Sequence, residues 1–443
     1  MTSGAYLSSR SFKTIALVAG LLATGAEALE PLSELIARAH QASTDERVAA
    51  LSAVQQQAEA LVALGRTLPA ISARGVYARN QFEAKLDAST LTGGAAIPGA
   101  TTVVIQPYNQ LDGYAQLDVP VIDVAAWLRA RAAQHGAQAA GATAKSTALE
   151  VEKQVARNYY QLIGAVALRE SAERTLSAAQ ANLALVAERR AGGVATELEV
   201  DRAAAEVERA KRSISDAELT GELARRALLT LTGVAVEGAV TSVVDDLREE
   251  SPLETWEGAG LEDVPSVAAA TEQRRGAETT AQAAGLALLP TVSATAQEHL
   301  TNASSFVGKN ATWMVNATMS WRLDVTAFGT MRSQAAAAEV ARVREEAARQ
   351  AALDQIHEAW FRVHNGLAKS QAARAEQHSA SSAVMRARER YQEGASTQLE
   401  LVQAERDAFS SDVSRIQADA DLSYSRAVLR LAAGHPLNQE TRR

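Results

Sequence analysis

The chain has 443 residues, no cysteine and a formal net charge of −8 at pH 7. The missing cysteines exclude disulfides, thiolate catalysis and cysteine-ligated zinc, and the acidic balance argues against a nucleic-acid partner. Hydrophobic residues make up 47% of the chain and aromatic residues only 4%. With abundant alanine, this composition favours long, closely packed helices over one compact globule.

Residues 1–28 have the pattern of a secretory signal peptide. Arg10 and Lys13 supply a positive start, residues 14–26 are apolar but too short to span a bilayer, and Ala26 to Ala28 fit the small-x-small cleavage rule. We therefore expect the mature chain to begin directly after this segment. No later apolar stretch reaches the length of about 18 residues that a membrane helix needs.

The rest of the chain contains one structural unit twice. Four pairs of equivalent residues lie 201 positions apart: Gly193 and Gly394, Asp123 and Asp324, Tyr159 and Trp360, and Gly233 and Gly434. Leu68–Pro69 and Leu289–Pro290 also look equivalent, but they are 221 positions apart. The difference places an insertion in the first copy before Asp123, in the Gly/Pro/Thr-rich residues 91–104.

The first copy is predicted over residues 29–233. It starts with a helix at about 31–66, followed by a strand pair at about 70–123, a long helix at 125–190 and a returning helix at 197–232.

Residues 234–263 lack a clear periodicity and are predicted as a linker. The second copy, 264–434, repeats the order, and 435–443 form a tail. Its elements are a helix at 264–287, a strand pair at about 291–324, a long helix at 328–393 and a returning helix at 397–433.

The strand evidence is clearest at residues 312–323, where side chains alternate with period 2. One face carries Trp313, Val315, Ala317, Met319, Trp321 and Leu323. Further aromatic residues cluster in the strand regions: Tyr77, Phe82, Tyr108, Tyr114 and Phe306. They fit girdles at a membrane interface, although by themselves they favour the alternative, a soluble, half-buried sheet.

The helices follow a spacing of three and four residues that is typical of a coiled-coil seam. In the first returning helix the seam consists of Ala203, Val207, Ala210, Ile214, Ala217, Gly221, Ala224, Leu228 and Leu231. In the second long helix it includes Ile356, Trp360, Val363 and Leu367. A helix of about 65 residues rises about 100 Å, far beyond the length of ordinary globular helices.

Four strands cannot close a membrane barrel, because the smallest such barrels have about eight. A barrel would therefore need several chains, and the helices that follow the strands would form a tube below it. Gly193 and Gly394 permit the backbone angles with which a helix ends and the chain reverses. Thr196, Ser396 and Thr397 are positioned to cap the returning helices. Both turns are expected at the far end of the tube.

At this point the sequence resembles the TolC family of bacterial outer-membrane efflux and secretion channels, over essentially the whole mature chain. The resemblance rests on an ordered set that occurs twice: Arg189 to Gly193 and Arg390 to Gly394, Leu198-Glu199 and Leu399-Glu400, the strand ends at 119–123 and 320–329, and the repeat ends at Gly233 and Gly434.

The resemblance implies a mainly α fold with a β-barrel part: a homotrimer with a twelve-strand outer-membrane barrel and a twelve-helix periplasmic tunnel. It implies docking onto a periplasmic adapter joined to an inner-membrane pump, passive export and no cofactor. The expected turn and docking residues are Arg189, Gly193, Thr196, Leu198, Arg390, Gly394, Ser396 and Leu399.

Some members of the family narrow the tip with acidic rings six and nine residues after the second glycine, which here are Glu400 and Gln403. Their tyrosine three residues before that glycine is matched by Tyr391, but the arginine two residues after it is Ser396 here. The first-copy equivalents of the ring positions are Glu199 and Arg202. The alternative for Glu400 is an ordinary solvated charge at a helix start, where the helix dipole favours an acid.

Other functions find little support in the sequence. His357 and His364 are seven residues apart on one helix, about 10 Å, which is too far for one metal ion. The zincin motif, a phosphate-binding loop and a convincing Ser/His/Asp set are absent, so we expect no enzyme and no metal site. The alternative function is a pore-less periplasmic coiled-coil scaffold, which would be soluble without detergent.

Overall fold

The computed structural model describes residues 30–86, 103–236, 245–258, 261–303, 309–323 and 325–437. The predicted signal peptide and most of the predicted insertion loop at 91–104 lie outside the described residues.

Long helices dominate the fold. The α-helices of the described residues are α1 (Leu32–Ala42), α2 (Thr44–Gly65), α3 (Val124–Ala191), α4 (Glu197–Thr232), α5 (Leu253–Gly258), α6 (Pro265–Leu286), α7 (Val325–Gln392) and α8 (Gln398–Ala432). Helices α3 and α7 each have 68 residues, so each is about 100 Å long. Among the described residues, no helix combines the length and the apolar character needed to cross a membrane.

The prediction of one helix over residues 31–66 is wrong, because the chain breaks between α1 and α2. Ser43 has an extended backbone there, and its hydroxyl accepts a hydrogen bond from the Glu46 N–H at 3.3 Å. Serine favours this capping role because its short side chain satisfies a backbone donor that the helix leaves free.

A four-stranded antiparallel sheet has the order β1–β4–β5–β6. Its strands are β1 (Ala70–Arg79), β4 (Asn109–Ile122), β5 (Thr291–Thr301) and β6 (Ala311–Ser320). A separate ribbon pairs β2 (Ala84–Leu86) with β3 (Val103–Gln106). The sequence predicted only a loop between the two main strands of the first copy. The structure adds the β2–β3 strand pair in this region.

The long helices form two antiparallel hairpins, α3/α4 and α7/α8, and α3 of the first packs on α8 of the second. Small residues allow this close approach: a Cβ built on Gly221 of α4 would lie 3.7 Å from the Ala165 Cβ of α3, and one on Gly164 of α3 would lie 3.5 Å from the Ala420 Cβ of α8. Most of the predicted α4 seam is buried, whereas Ile214 and Leu231 are half-buried.

The described part of the linker is fixed against the second hairpin. Arg426 donates from Nε to the Asp245 carboxylate at 2.8 Å, and the Trp360 indole donates to the Ser251 carbonyl at 3.0 Å. His357 pairs with Glu257, and the His364 ring stacks on Trp360 with centroids 5.4 Å apart. The two histidines that invited a metal interpretation thus have other partners.

His40, at the end of α1, joins four parts of the chain. Its ring nitrogens lie 2.7 Å from a Glu46 oxygen and 3.1 Å from a Glu152 oxygen, and Glu152 also accepts the Leu437 N–H at 2.7 Å. The hydrogen bond to Glu152 contributes most to raising the pKa of His40 to about 9; burial opposes it, and Glu46 adds to it. The protonated ring therefore ties α1, α2, α3 and the chain end together.

Replacing His40 with glutamine should lower the free energy of unfolding in a pH-dependent manner. A pKa raised from 6.5 to about 9 gives a stabilisation that is complete below pH 6.5 and lost as the pH rises through 9. We expect a difference of about 2 kcal/mol at pH 6, less than the full shift implies because the ring is partly exposed. Denaturant unfolding between pH 6 and 10 measures it, with His378→Gln on the exposed surface of α7 as control. A difference that does not change with pH would contradict the assignment.

Candidate functional site at the hairpin tips and the sheet

The two hairpins reverse at equivalent glycines. Gly193 and Gly394 have φ of 75° and 73°, a left-handed conformation. Around them the Val194 N–H donates to the Arg189 carbonyl at 2.9 Å, and the Ala395 N–H donates to the Arg390 carbonyl at 2.7 Å. This six-residue closure of a helix end needs a left-handed residue, which glycine adopts without strain.

The returning helices are capped differently. Thr196 and Glu199 form a complete capping box: the Glu199 carboxylate accepts the Thr196 N–H at 2.6 Å, and the Thr196 hydroxyl accepts the Glu199 N–H at 3.4 Å. In the second copy, the Thr397 hydroxyl accepts the Glu400 N–H at 3.3 Å. The expectation that Ser396 is a cap is wrong, because its hydroxyl donates instead to the Ala387 carbonyl.

The two tips of one chain are joined through Arg189 and Tyr391. The Arg189 guanidinium lies 4.4 Å from the centre of the Tyr391 ring and donates to the Tyr391 carbonyl at 3.2 Å. Tyr391 is only 4% exposed, so its ring forms part of the contact. Position 396 carries a serine, and the arginine that contacts Tyr391 within one chain belongs to the first repeat.

Gln398 makes a second connection that sequence reasoning missed. Its side chain is 1% exposed, and its Nε2 donates to the Glu199 carbonyl at 2.6 Å. The residue looks like an ordinary polar residue at a helix start. Only a comparison with its equivalent in the first copy, Glu197, shows that the two tips differ there.

The other predicted tip residues lie at the surface of the single chain. Glu400, Gln403 and Arg202 are exposed, and Glu199 is half-buried. Leu198 and Leu399 are also exposed. Val194, directly after the turn glycine Gly193, is 81% exposed. Arg390 donates to the Ala395 carbonyl of its own turn at 3.3 Å. The tip therefore presents both charged and apolar side chains.

Behind the tips, charged pairs surround a groove of about 450 Å³ that is lined by all four long helices. Arg406 donates to Glu206 across the hairpins at 2.9 Å, and Arg388 pairs with Glu405 at 3.0 Å. Burial raises the pKa of Glu405 in spite of the bond from Arg388. Burial also acts on Glu206, but hydrogen bonds from Arg406 and Arg209 outweigh it and hold the pKa of Glu206 below its usual value.

At the end of the long helices opposite the tips, the register of the four-stranded sheet separates apolar from polar side chains. One row across the four strands consists of Ile71, Leu117, Ala296 and Val315, and a neighbouring row on the opposite face consists of Ala70, Asp118, Thr295 and Asn316. The Thr295 hydroxyl donates to Asp118 at 3.0 Å. The apolar face is uncovered: Ile71 is 83% and Trp313 77% exposed. Glu298 lies opposite Trp313 in the strand register, at one end of that face.

This duplicated arrangement of two long helical hairpins continuing from a four-stranded sheet is the fold of TolC-like outer-membrane channels. The sequence profile described as "Outer membrane efflux protein" matches residues 35–234 and 259–435. The chain belongs to this family.

Solved structures agree with this fold. CusC is 18% identical, with a TM-score of 0.79 and coverage of 91% of this chain and 92% of the other. VceC of Vibrio cholerae is 18% identical, with a TM-score of 0.77 and coverage of 91% and 96%. The MtrE channel of Neisseria gonorrhoeae, solved in an open state, is 20% identical, with a TM-score of 0.73 and coverage of 92% and 89%. No curated protein sequence matches the chain significantly.

The turn offers a matched pair of substitutions. Gly193→Ala should cost about 1 kcal/mol of unfolding free energy, because an L-residue is strained at φ 75°. Gly192→Ala, with φ −78°, should be neutral or stabilising because it reduces the freedom of the unfolded chain. A built Cβ at Gly193 meets nothing within 4 Å, so only backbone strain separates the two. Equal midpoints in thermal unfolding would refute the strain.

Proposed function

We propose that three copies of this chain form an outer-membrane exit duct, through which a periplasmic adapter and an inner-membrane pump export their substrates. The observation that carries the proposal is the uncovered apolar face of the four-stranded sheet. A face this apolar is stable when lipid covers it, and its opposite polar face then lines water.

The dimensions of the sheet fit a membrane. Strands β1, β5 and β6 have 10, 11 and 10 residues, and a tilted strand needs about 9–11 residues to cross a bilayer. Trp313 lies near the start of β6 and Trp321 directly after its end, and eight residue steps of extended chain separate them by about 27 Å along the strand. Outer-membrane barrels carry aromatic girdles on both sides of an apolar band about 25 Å tall.

The edges of the sheet argue for more than one chain. Strands β1 and β6 are the edges of the described sheet, and backbone groups that face lipid must be hydrogen-bonded. Three chains whose edges pair would give twelve strands in a closed barrel, which leaves no edge. The hairpins of the three chains would then continue as a twelve-helix tube about 100 Å long.

A pore-less periplasmic scaffold is disfavoured by the same observation. In water, the face that carries Ile71, Val315 and Trp313 would remain exposed, and patches of this kind promote aggregation unless they are covered. A coiled-coil scaffold also has no need for a sheet with one apolar and one polar face.

The tips are the proposed docking and gating end. Exposed Val194, Leu198 and Leu399 offer apolar anchors to an adapter, and the turns at Gly193 and Gly394 present them at the surface. We assign Glu400 and Gln403 to the pore constriction, with Glu199 and Arg202 as their first-copy equivalents. The duct itself performs no chemistry, and the energy for transport comes from the pump.

A matched pair of substitutions on β6 tests the barrel. Val315→Arg places a charge on the proposed lipid face and should cost about 2–4 kcal/mol near the bilayer centre, whereas Asn316→Arg on the polar face should be tolerated. The measurement is the amount of trimer extracted by detergent from the outer-membrane fraction. Wild-type chains found as soluble monomers would overturn the duct and favour the scaffold.

Glu400 and Glu199 can be compared in the same way. The Glu199 carboxylate folds back onto its own helix start, whereas Glu400 is exposed and contributes only its N–H to the cap. Glu400→Gln should therefore reduce the cation preference of the channel, since three like charges around a pore favour cations. Glu199→Ala, which removes the acceptor of the Thr196 N–H, should mainly lower stability, by about 1 kcal/mol. The reversal potential under a salt gradient and thermal unfolding separate the two effects.

A further inference from the structure

The groove behind the tips has the size and the lining of a site for a small molecule. Its volume is about 450 Å³, and α3, α4, α7 and α8 all contribute to it. Pockets for small ligands typically measure about 300–1,000 Å³ and have mainly apolar walls with a few polar groups. The apolar lining consists of Ala178, Ala179, Ala210, Val384, Ala408 and Phe409. It gives the groove a hydrophobic surface that includes one aromatic ring.

Four arginines surround this surface, and they are more exposed than the carboxylates that they bind. The arginine side chains are 42–66% exposed, whereas the three carboxylate side chains are 13–17% exposed. The arginines are Arg174, Arg209, Arg388 and Arg406, and the carboxylates are Glu206, Glu405 and Asp412. A molecule that enters the groove from solvent therefore meets mainly guanidinium groups.

These guanidinium groups retain hydrogen-bond donors for a ligand. Within the described part of the chain, Arg388 binds Glu405 through Nη2 alone, at 3.0 Å, and Arg209 binds Glu206 through Nη1 alone. A guanidinium has five N–H donors, so most of them are not used by these carboxylates. Four guanidinium groups against three carboxylates also leave the groove with a charge of +1, in a chain whose net charge is −8.

The packing of the hairpins does not require this cluster of arginines. The positions 201 residues away from the four arginines carry Ala375, Ser410, Ala187 and Ala205. Both repeats nevertheless form a long antiparallel hairpin. Exposed ion pairs also contribute little to stability. A cluster that belongs to one groove, and that the duplication did not supply twice, favours a binding role over a purely structural one.

We propose that the groove binds an organic anion with a planar aromatic body. The guanidinium groups bind its carboxylate or sulfonate, because their flat, forked arrangement of donors matches such groups. The aromatic body packs on Phe409 and the alanine surface. The site lies within one chain, so it is separate from the export function proposed above and does not depend on the trimer.

Isothermal titration calorimetry with 2-naphthoate tests the site. The protein is held in lipid nanodiscs, and empty nanodiscs serve as the blank because aromatic anions partition into lipid. We expect one 2-naphthoate to bind per chain. 2-Naphthamide has the same aromatic body without the charge and should bind about tenfold more weakly. High salt should weaken the binding of 2-naphthoate more than that of the amide.

A pair of arginine substitutions on α4 tests the charge. Arg209→Gln removes one guanidinium group from the groove and should weaken 2-naphthoate binding about tenfold. Arg225→Gln is the control, because Arg225 is similarly exposed and pairs with a glutamate three residues before it, Glu222, but does not line the groove. It should leave the binding unchanged.

A second pair of substitutions on α3 tests the space. Ala178→Trp fills the groove and should abolish the binding. Ser177→Trp adds the same side chain at the neighbouring exposed position, outside the groove, and should have no effect. Thermal unfolding without ligand checks that each variant is folded. If Ala178→Trp does not fold, the two arginine variants decide.

The proposal is wrong if 2-naphthoate does not bind, if the acid and the amide bind equally, or if Arg225→Gln weakens binding as much as Arg209→Gln. In the folded protein, 2-naphthoate should also raise the midpoint of thermal unfolding, since it binds only the native state. Failure of the proposed duct looks different. The chain would then be a soluble monomer, but it would still bind one anion in the groove.

Discussion

The structure depends on a hydrophobic face that one chain cannot cover. The register places Ile71, Leu117, Ala296 and Val315 in one row, and among the described residues no helix packs extensively on the sheet. At the same time the edge strands β1 and β6 leave backbone groups unpaired. In the proposed trimer, lipid covers the apolar face and further copies of the chain pair with the edges, so membrane insertion and assembly would both follow from one sheet.

The helical part solves a different problem, which is length. A tube about 100 Å long cannot be built from a thick core, so the wall is one helix deep and must hold together through narrow seams. Alanine and glycine, as at Gly164, Ala420, Ala165 and Gly221, bring helix axes close at many successive positions. Each contact is small, and the stability of the wall comes from their repetition along the seam.

Duplication supplied both hairpins, but the two copies have not remained alike where they end. Thr196 forms a reciprocal cap with Glu199, whereas Thr397 caps only one way. Arg189 reaches across to the other repeat, whereas Arg390 binds its own turn. Both of these differences lie at the tip.

Much of this protein follows from the sequence. The order of the elements was predicted from the 201-residue repeat, the period-2 strands and the turn glycines. The observed helices α3, α4, α7 and α8 begin and end within three residues of their predicted bounds. These features rest on local rules: helix periodicity, strand alternation and the backbone freedom of glycine. The break at Ser43 and the β2–β3 ribbon were not predicted from the sequence. A single capping residue and a four-residue strand are too short to produce a recognisable periodic pattern.

The tip contacts were decided by the tertiary structure alone. Arg189 and Tyr391 are 202 positions apart in the chain, and nothing in their local sequence shows that the cation would lie on the ring. Gln398 is buried only because the two hairpins meet at a particular height. The sequence by itself determined most of the elements and the alternation of apolar and polar side chains in the strands, since these depend on neighbours along the chain. Which side chains meet across the seam depends on how two 100 Å helices align, and only the packed structure settles that.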